Sequence, residues 1–184
     1  RPDATTTDPG IYDVRSCSKA NVLPWTSISQ TSADATCKAL PTSVAGTSMR
    51  LCSETEWQTA CLAGNSAANP VWSFSTQASP YDDLVCNDAN SGAAGPWATS
   101  HNNGQAQRCR TSTSIWDMSG NVAEWTNDCD DAGAGKNDDF PPLGGGRADD
   151  AGALTCTVTH ANINGAVRSD TATNFGFRCC APAK

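Results

Sequence analysis

Ten cysteines in a chain of 184 residues constrain the fold more than any other feature of this sequence. They are Cys17, Cys37, Cys52, Cys61, Cys86, Cys109, Cys129, Cys156, Cys179 and Cys180, spread along the whole chain. The count is even and no CxxC pair occurs, which points away from a zinc ribbon or a thioredoxin-like motif. The expectation is that all ten pair as disulfides in an oxidising compartment, so the protein is secreted, extracellular or on a cell surface. Each bridge would stabilise the fold by roughly 2–4 kcal/mol, mainly by restricting the unfolded chain. Cys179 and Cys180 are adjacent, and neighbouring Cα atoms lie about 3.8 Å apart, below the usual disulfide range. In a strand their side chains point to opposite faces. They are therefore expected to bridge to two different partners, one toward the core and one away from it. The remaining connectivity is open at this point.

The bridges have work to do because the core is lean. Only 38% of residues are hydrophobic and 7% aromatic, while Ser, Thr, Asn, Asp and Gly fill much of the rest. Such a composition favours turns and loops over long regular elements. The formal charge of −7 argues against nucleic acid and anionic membrane surfaces as partners. No apolar run approaches the roughly 20 residues that span a bilayer, so no membrane insertion is expected. No N-x-Ser/Thr sequon occurs. No signal peptide is visible either, which reads as a chain already processed.

Residues 1–10 read as an extended lead-in and residues 11–184 as a single domain. Tyr12–Val14 reads as a short strand. Ser29–Leu40 reads as a helix capped by Ser29, with Ala33, Cys37 and Leu40 on one face. Glu54–Ala63 is the clearest helix, because Ser53 and Glu56 form a capping box ahead of Trp57, Ala60 and Cys61. From Gly64 to Ile115, turn formers predict ordered but irregular loops held by Cys86 and Cys109. Ile115–Trp125 reads as an apolar turn-containing core segment, and Leu154–Val158 and Asn174–Cys180 as strands.

Several segments, taken in order, resemble the formylglycine-generating enzyme, or sulfatase-modifying-factor, family. Met49–Cys61 (MRLCSETEWQTAC) is similar to that family's RLPTEAEWE helix start, with Cys52 in place of Pro. Pro70–Ser73 (PVWS) is loosely similar to its YPWG turn, and Cys86–Asn87 to the alanine–asparagine that follows. Trp116–Trp125 (WDMSGNVAEW) matches its LYDMSGNVWEW signature almost residue for residue. Leu143–Arg147 (LGGGR) resembles its RGGSW turn, and Phe175–Cys179 (FGFRC) its closing strand. The resemblance runs from about Trp25 to Cys180 and lacks the family's glycine-rich first strand. It implies an irregular, loop-rich α+β fold related to the C-type lectins, with two helices and small antiparallel sheets.

The family's enzyme oxidises a sulfatase cysteine with copper(I), a soft ion suited to thiolates. The resemblance places its two copper cysteines at Asp149 and Leu154, so no copper is expected; Cys156 nearby reads as half of a disulfide. Of the residues lining the family's substrate groove, only Arg168 is recognisable. His101 and His160 sit in no HExxH or GxSxG context. Calcium is the better expectation. The resemblance implies a structural Ca²⁺ site with carboxylates from Asp117 and Glu124 and carbonyl oxygens from Gly120 and Val122, a sensible donor set for a hard cation. A second site would begin at Asn87 and the carbonyl of Asp88. Asp128, Asp130, Gly133 and Asp139 are spaced in part like an EF-hand loop, but Ala132 interrupts the set and the stretch reads as a solvated acidic loop.

The functional expectation is thus a non-catalytic extracellular recognition module on a calcium-stabilised lectin-like scaffold. Its partner would be an extracellular protein or glycan, or copies of itself if it is a subunit of a surface layer or filament. Trp97, between Pro96 and polar residues, is the tryptophan expected to be exposed to such a partner.

Overall fold

Two serines start the two described helices. A computed structural model of the chain describes residues 22–40, 42, 47–63, 72–74, 81, 85–98, 109–128, 140, 142–158 and 168–181. The lead-in, the Tyr12–Val14 strand, Cys17, Cys129, His101, His160, Asp130, Gly133 and Asp139 lie outside the described residues. Helix α1 covers Gln30–Lys38, and the Ser29 hydroxyl accepts from the Ser32 amide. Ala33 and Cys37 are buried on one face, with Leu40 packed beside them. Helix α2 covers Glu54–Cys61. Its capping box is complete: the Ser53 hydroxyl accepts from the Glu56 amide, and the Glu56 carboxylate accepts from the Ser53 amide. The Asp128 carboxylate takes the Glu54 N–H, so a loop distant in sequence satisfies another of the helix's orphan donors.

Strand β1 (Arg50–Leu51) pairs antiparallel with β4 (Cys179–Cys180), Arg50 opposite Cys180 and Leu51 opposite Cys179. Strand β2 (Ala123–Trp125) pairs with β3 (Phe175–Phe177), with Glu124 opposite Gly176. This second pair is parallel, which corrects the expectation of antiparallel sheets throughout. Parallel pairing needs a long crossover, and the chain from 126 to 174 supplies it. On its other side Glu124 exchanges both backbone hydrogen bonds with Leu143, an isolated antiparallel bridge. The Asn174–Cys180 segment is split into two strands at Arg178, where the chain passes from one small sheet to the other.

Leu154–Val158 is not a strand. Leu154, Cys156 and Val158 are buried, so the alternation read from the sequence is present in burial. The backbone nevertheless curls through turns, closed by a Val158 N–H to Thr155 carbonyl bond and tied down by the Cys61–Cys156 disulfide. Period-two burial without a ladder partner makes a staple, not a strand.

Four disulfides are formed by the eight described cysteines: Cys37–Cys179, Cys52–Cys180, Cys61–Cys156 and Cys86–Cys109. The adjacent pair behaves as strand geometry requires. Cys179 belongs to a core cluster with Ile28, Leu51, Trp125 and Phe140. Cys180 packs against a second cluster built on Trp57, Met118 and Leu143. Successive residues of β4 therefore clip α1 on one side and the start of α2 on the other. A third, small cluster holds Val85, Cys86 and Cys109.

Two consequences are measurable. Peptide mapping of the unreduced protein should recover one fragment carrying Cys179 and Cys180 joined to both the Cys37 and the Cys52 fragments, and thiol labelling under denaturing conditions should leave all ten cysteines unmodified. A Cys37–Cys52 link, or two labelled cysteines, would contradict this frame.

The second consequence concerns acid. The Glu56 carboxylate receives two hydrogen bonds from Arg50, each 2.6 Å. Those bonds, opposed by partial burial and aided by the Ser53 amide, hold its pKa down to about 2 against an ordinary 4.5. A folded value below the unfolded one gives stability that is fully present above about pH 4.5 and lost as pH falls toward 2. Glu56→Gln should therefore flatten the acid limb of a melting-temperature profile across that window and leave the neutral region's slope unchanged.

Candidate functional site

The WDMSGNVAEW segment turns through three left-handed residues, Asp117 (φ 55°), Gly120 (φ 86°) and Asn121 (φ 70°). Asp and Asn tolerate this region because their short polar side chains find local hydrogen bonds. At Gly120 a side chain is excluded outright, since a Cβ there would lie 2.6 Å from the carbonyl oxygen of Asn87. Gly144 (φ 83°) is excluded likewise, 2.7 Å from both the Met118 carbonyl oxygen and the Trp57 ring. Three stretches of chain thus meet at close quarters: the turn itself, the 87–97 loop and the 143–147 glycine run.

Asn121 clasps the 87–97 loop. Its amide donates to the Asn87 carbonyl at 2.7 Å, its Oδ1 accepts from the Trp97 amide at 2.7 Å and from Asn87 Nδ2 at 3.0 Å, and its Nδ2 donates to the Trp97 carbonyl at 3.1 Å. Trp97 is consequently half-buried with its backbone held, not the exposed tryptophan expected. Asn87 and Asp88 lie in the same network. Ser91 Oγ is 2.8 Å from both Asn87 Oδ1 and the Asp88 carbonyl oxygen, at the residues expected to begin a second calcium site. The buried Asp88 carboxylate accepts from the Asn90 and Ser91 amides and the Tyr81 hydroxyl.

At the far end of the turn, Glu124 is 5% exposed, and its carboxylate is surrounded by donors. Trp57 Nε1 and Arg178 Nε donate to Oε2, each at 2.9 Å, and Arg178 Nη2 donates to Oε1 at 2.7 Å. The same Nη2 donates to the carbonyl of Trp116 at 2.9 Å. The Gly120 carbonyl accepts from the Val122 amide within the turn.

This geometry bears on calcium. Ca²⁺ takes 6–8 oxygen ligands and is drawn by uncompensated negative charge. Of the first set, Glu124 is paired with Arg178 and the Gly120 carbonyl accepts from the Val122 amide; in the second set, Asn87 Oδ1 lies beside the Ser91 hydroxyl and the Asp88 carbonyl accepts from the Ser91 amide. Like charges 4 Å apart repel by about 4 kcal/mol per unit pair at an effective dielectric of 20, so an ion at Glu124 would work against the guanidinium. Among the described residues no group of three or more His, Cys, Asp or Glu is arranged to hold a metal. The Arg178 guanidinium on Glu124 does not fit a calcium ion bound at that carboxylate, and the Asn87 and Asp88 oxygens accept hydrogen bonds within their own loop.

The copper corner has no thiolate pair. Asp149 Oδ2 accepts from the Gly146 amide, Leu154 is fully buried beside Gly120 and Gly145, and Cys156 is bridged to Cys61. Arg168 lies exposed with its guanidinium 4.4 Å from the Phe140 ring centroid.

Three residues that organise this region escaped the sequence reading: Arg178, Asn121 and Ser91. Arg178 carried a signal, as a lone cation between Phe177 and Cys179 in an apolar strand calls for a buried carboxylate. Glu124 between Ala123 and Trp125 is its counterpart.

A family model described as "Sulfatase-modifying factor enzyme 1-like domain" matches residues 6–183. No curated protein sequence matches the chain. Among solved structures, CarF is similar with a TM-score of 0.62 and 21% identity over 90% of this chain and 67% of its own. Treponema denticola variable protein 1 gives 0.56 and 18%, over 73% of this chain and 48% of its own. PvdO from Pseudomonas aeruginosa gives 0.54 and 18%, over 86% and 61%. This chain thus spans between about half and two-thirds of these structures, and at such identities the likeness shows the fold. With two helices, small sheets and loops gathered around the SGN turn, and with the family model matching almost end to end, the chain belongs to the sulfatase-modifying factor enzyme 1-like domain family.

Proposed function

We propose that this domain is a non-catalytic extracellular recognition module. The observation that carries the reading is the state of the copper corner: Asp149 and Leu154 stand where the resemblance puts thiolates, and the sulfur nearest in sequence, Cys156, is bridged to Cys61. Copper(I) chemistry needs soft ligands, and neither an aspartate nor a leucine supplies one. A fold hosts many functions, so the site and not the architecture decides.

The extracellular part of the reading is supported by four disulfides, and no described helix is long and apolar enough to cross a membrane. The recognition part is supported by a half-buried aromatic trio. Trp72 lies 5.0 Å from Tyr81 and 6.4 Å from Phe74 between ring centroids. Polar hooks fix two of the rings, Trp72 Nε1 to the Ala151 carbonyl and the Tyr81 hydroxyl to Asp88. Fixed amphipathic rings suit binding of a glycan or protein at low entropic cost.

Two measurements test the reading. Incubation with sulfatase-type cysteine peptides and supplied copper is expected to give no aldehyde above a protein-free blank; aldehyde formation would make the domain an oxidase and overturn the proposal. Sedimentation of the native protein is expected to show a monomer, whereas concentration-dependent polymers would assign it to surface assembly instead of recognition.

A further inference from the structure

The turn from Trp116 to Trp125 begins and ends on oxygens that a single guanidinium joins. Arg178 Nη2 donates to the Trp116 carbonyl at 2.9 Å and to Glu124 Oε1 at 2.7 Å, while Nε reaches Oε2 at 2.9 Å. Both side chains of the ion pair are largely buried, 13% exposed for Arg178 and 6% for Glu124. A buried carboxylate kept ionised without a compensating positive charge is strongly unfavourable, so an ionised Glu124 calls for a cation beside it. We propose that Arg178 is that cation, closing the turn from within so that the domain needs no calcium at this corner.

The placement of Arg178 supports the role. It lies between β3, held by parallel pairing with β2, and β4, whose two residues are both disulfide-bonded. The Arg178 carbonyl also accepts from the Cys52 amide. Its backbone is thereby fixed on both sides, and the planar guanidinium delivers a two-point hydrogen bond to the carboxylate with little further ordering. Trp57 Nε1, from the middle of α2, is a third donor to the same carboxylate. A divalent ion at this carboxylate would meet the like charge of a guanidinium anchored by this frame.

Thermal unfolding of the whole, unreduced chain tests the proposal, run in excess calcium and in chelator and paired with a calorimetric Ca²⁺ titration. Wild-type melting curves are expected to superimpose, with no binding heat. Arg178→Met and Glu124→Gln are each expected to lower Tm by on the order of 10 °C, and the double variant to lose clearly less than the sum, because each single change strands a buried partner. Arg178→Lys, keeping the charge but not the fork, is expected to recover part of the loss. If Arg178→Met does not fold, the wild-type calcium titration alone decides. A calcium-dependent rise in wild-type Tm that Glu124→Gln abolishes would sink the proposal, as would additive losses in the two single variants.

Discussion

The buried pair between Glu124 and Arg178 is the constraint through which the rest of the domain is referenced. Glu124 sits in the middle of β2, hydrogen-bonded through its backbone to Leu143 on one side and paired with Gly176 on the other. Its side chain engages α2 through Trp57 and the closing segment through Arg178. Side chains from two other stretches of chain, Trp57 and Arg178, therefore meet on one carboxylate, and Arg178 also reaches the Trp116 carbonyl at the turn's entry. A buried ion pair is weak evidence for net stability, because desolvation offsets most of the Coulombic gain. Its physical consequence is register: any slip of β2 against β3 by one residue would turn Glu124 out of the donor shell and bring an apolar neighbour toward Arg178.

Disulfides supply what the small core cannot. Strands of two or three residues hold few ladder hydrogen bonds, and an isolated pair of such strands is not independently stable. Three of the four bridges span 95 to 142 residues of sequence, where the entropy removed from the unfolded chain is large. They also divide the labour between cores. Cys179 closes the cluster around Trp125 and α1, while Cys180 closes the one around Trp57 and α2. The pleat of β4 makes this possible with adjacent residues, since neighbouring side chains leave a strand on opposite faces.

What could be read from the sequence was local or carried by motif. The capping box at Ser53 and Glu56, the N-cap at Ser29 and the divergence of Cys179 and Cys180 each follow from stereochemistry within a few residues, and each is present in the structure. The ordered motifs from RLC to GFRC resembled one family, and the match to that family runs from residue 6 to 183. The parallel pairing of β2 with β3 was not legible, because the direction of a three-residue ladder depends on the crossover and not on the strand. Leu154–Val158 misled because alternation reports burial, and a disulfide can enforce burial without a neighbouring strand. For the oxygens of Asn87, Asp88, Gly120 and Glu124, a motif shows which acceptors are present. It does not show which donors, here Ser91, Val122, Trp57 and Arg178, have already reached them.

The copper corner differs from a thiolate site in its packing as well as in two side chains. The Leu154 side chain would lie 3.0 Å from a Cβ on Gly120 and 2.8 Å from one on Gly145, so it is packed directly against the turn's backbone. A thiol in that apolar setting would have its pKa raised and would resist forming the thiolate that copper(I) requires. Asp149 meanwhile closes the 146–149 turn, its carboxylate accepting from the Gly146 amide and its carbonyl from the Ala89 amide. A cysteine at position 149 would give up the carboxylate's charge-assisted bond and loosen the glycine run that passes within contact of Trp57. Under the non-catalytic reading, then, the corner has been rebuilt as a packing joint. Its leucine and aspartate contribute to the same meeting of loops that Asn121 and Arg178 hold, beside which the Ala151 carbonyl and the Asp88 carboxylate fix two rings of the aromatic trio around Trp72.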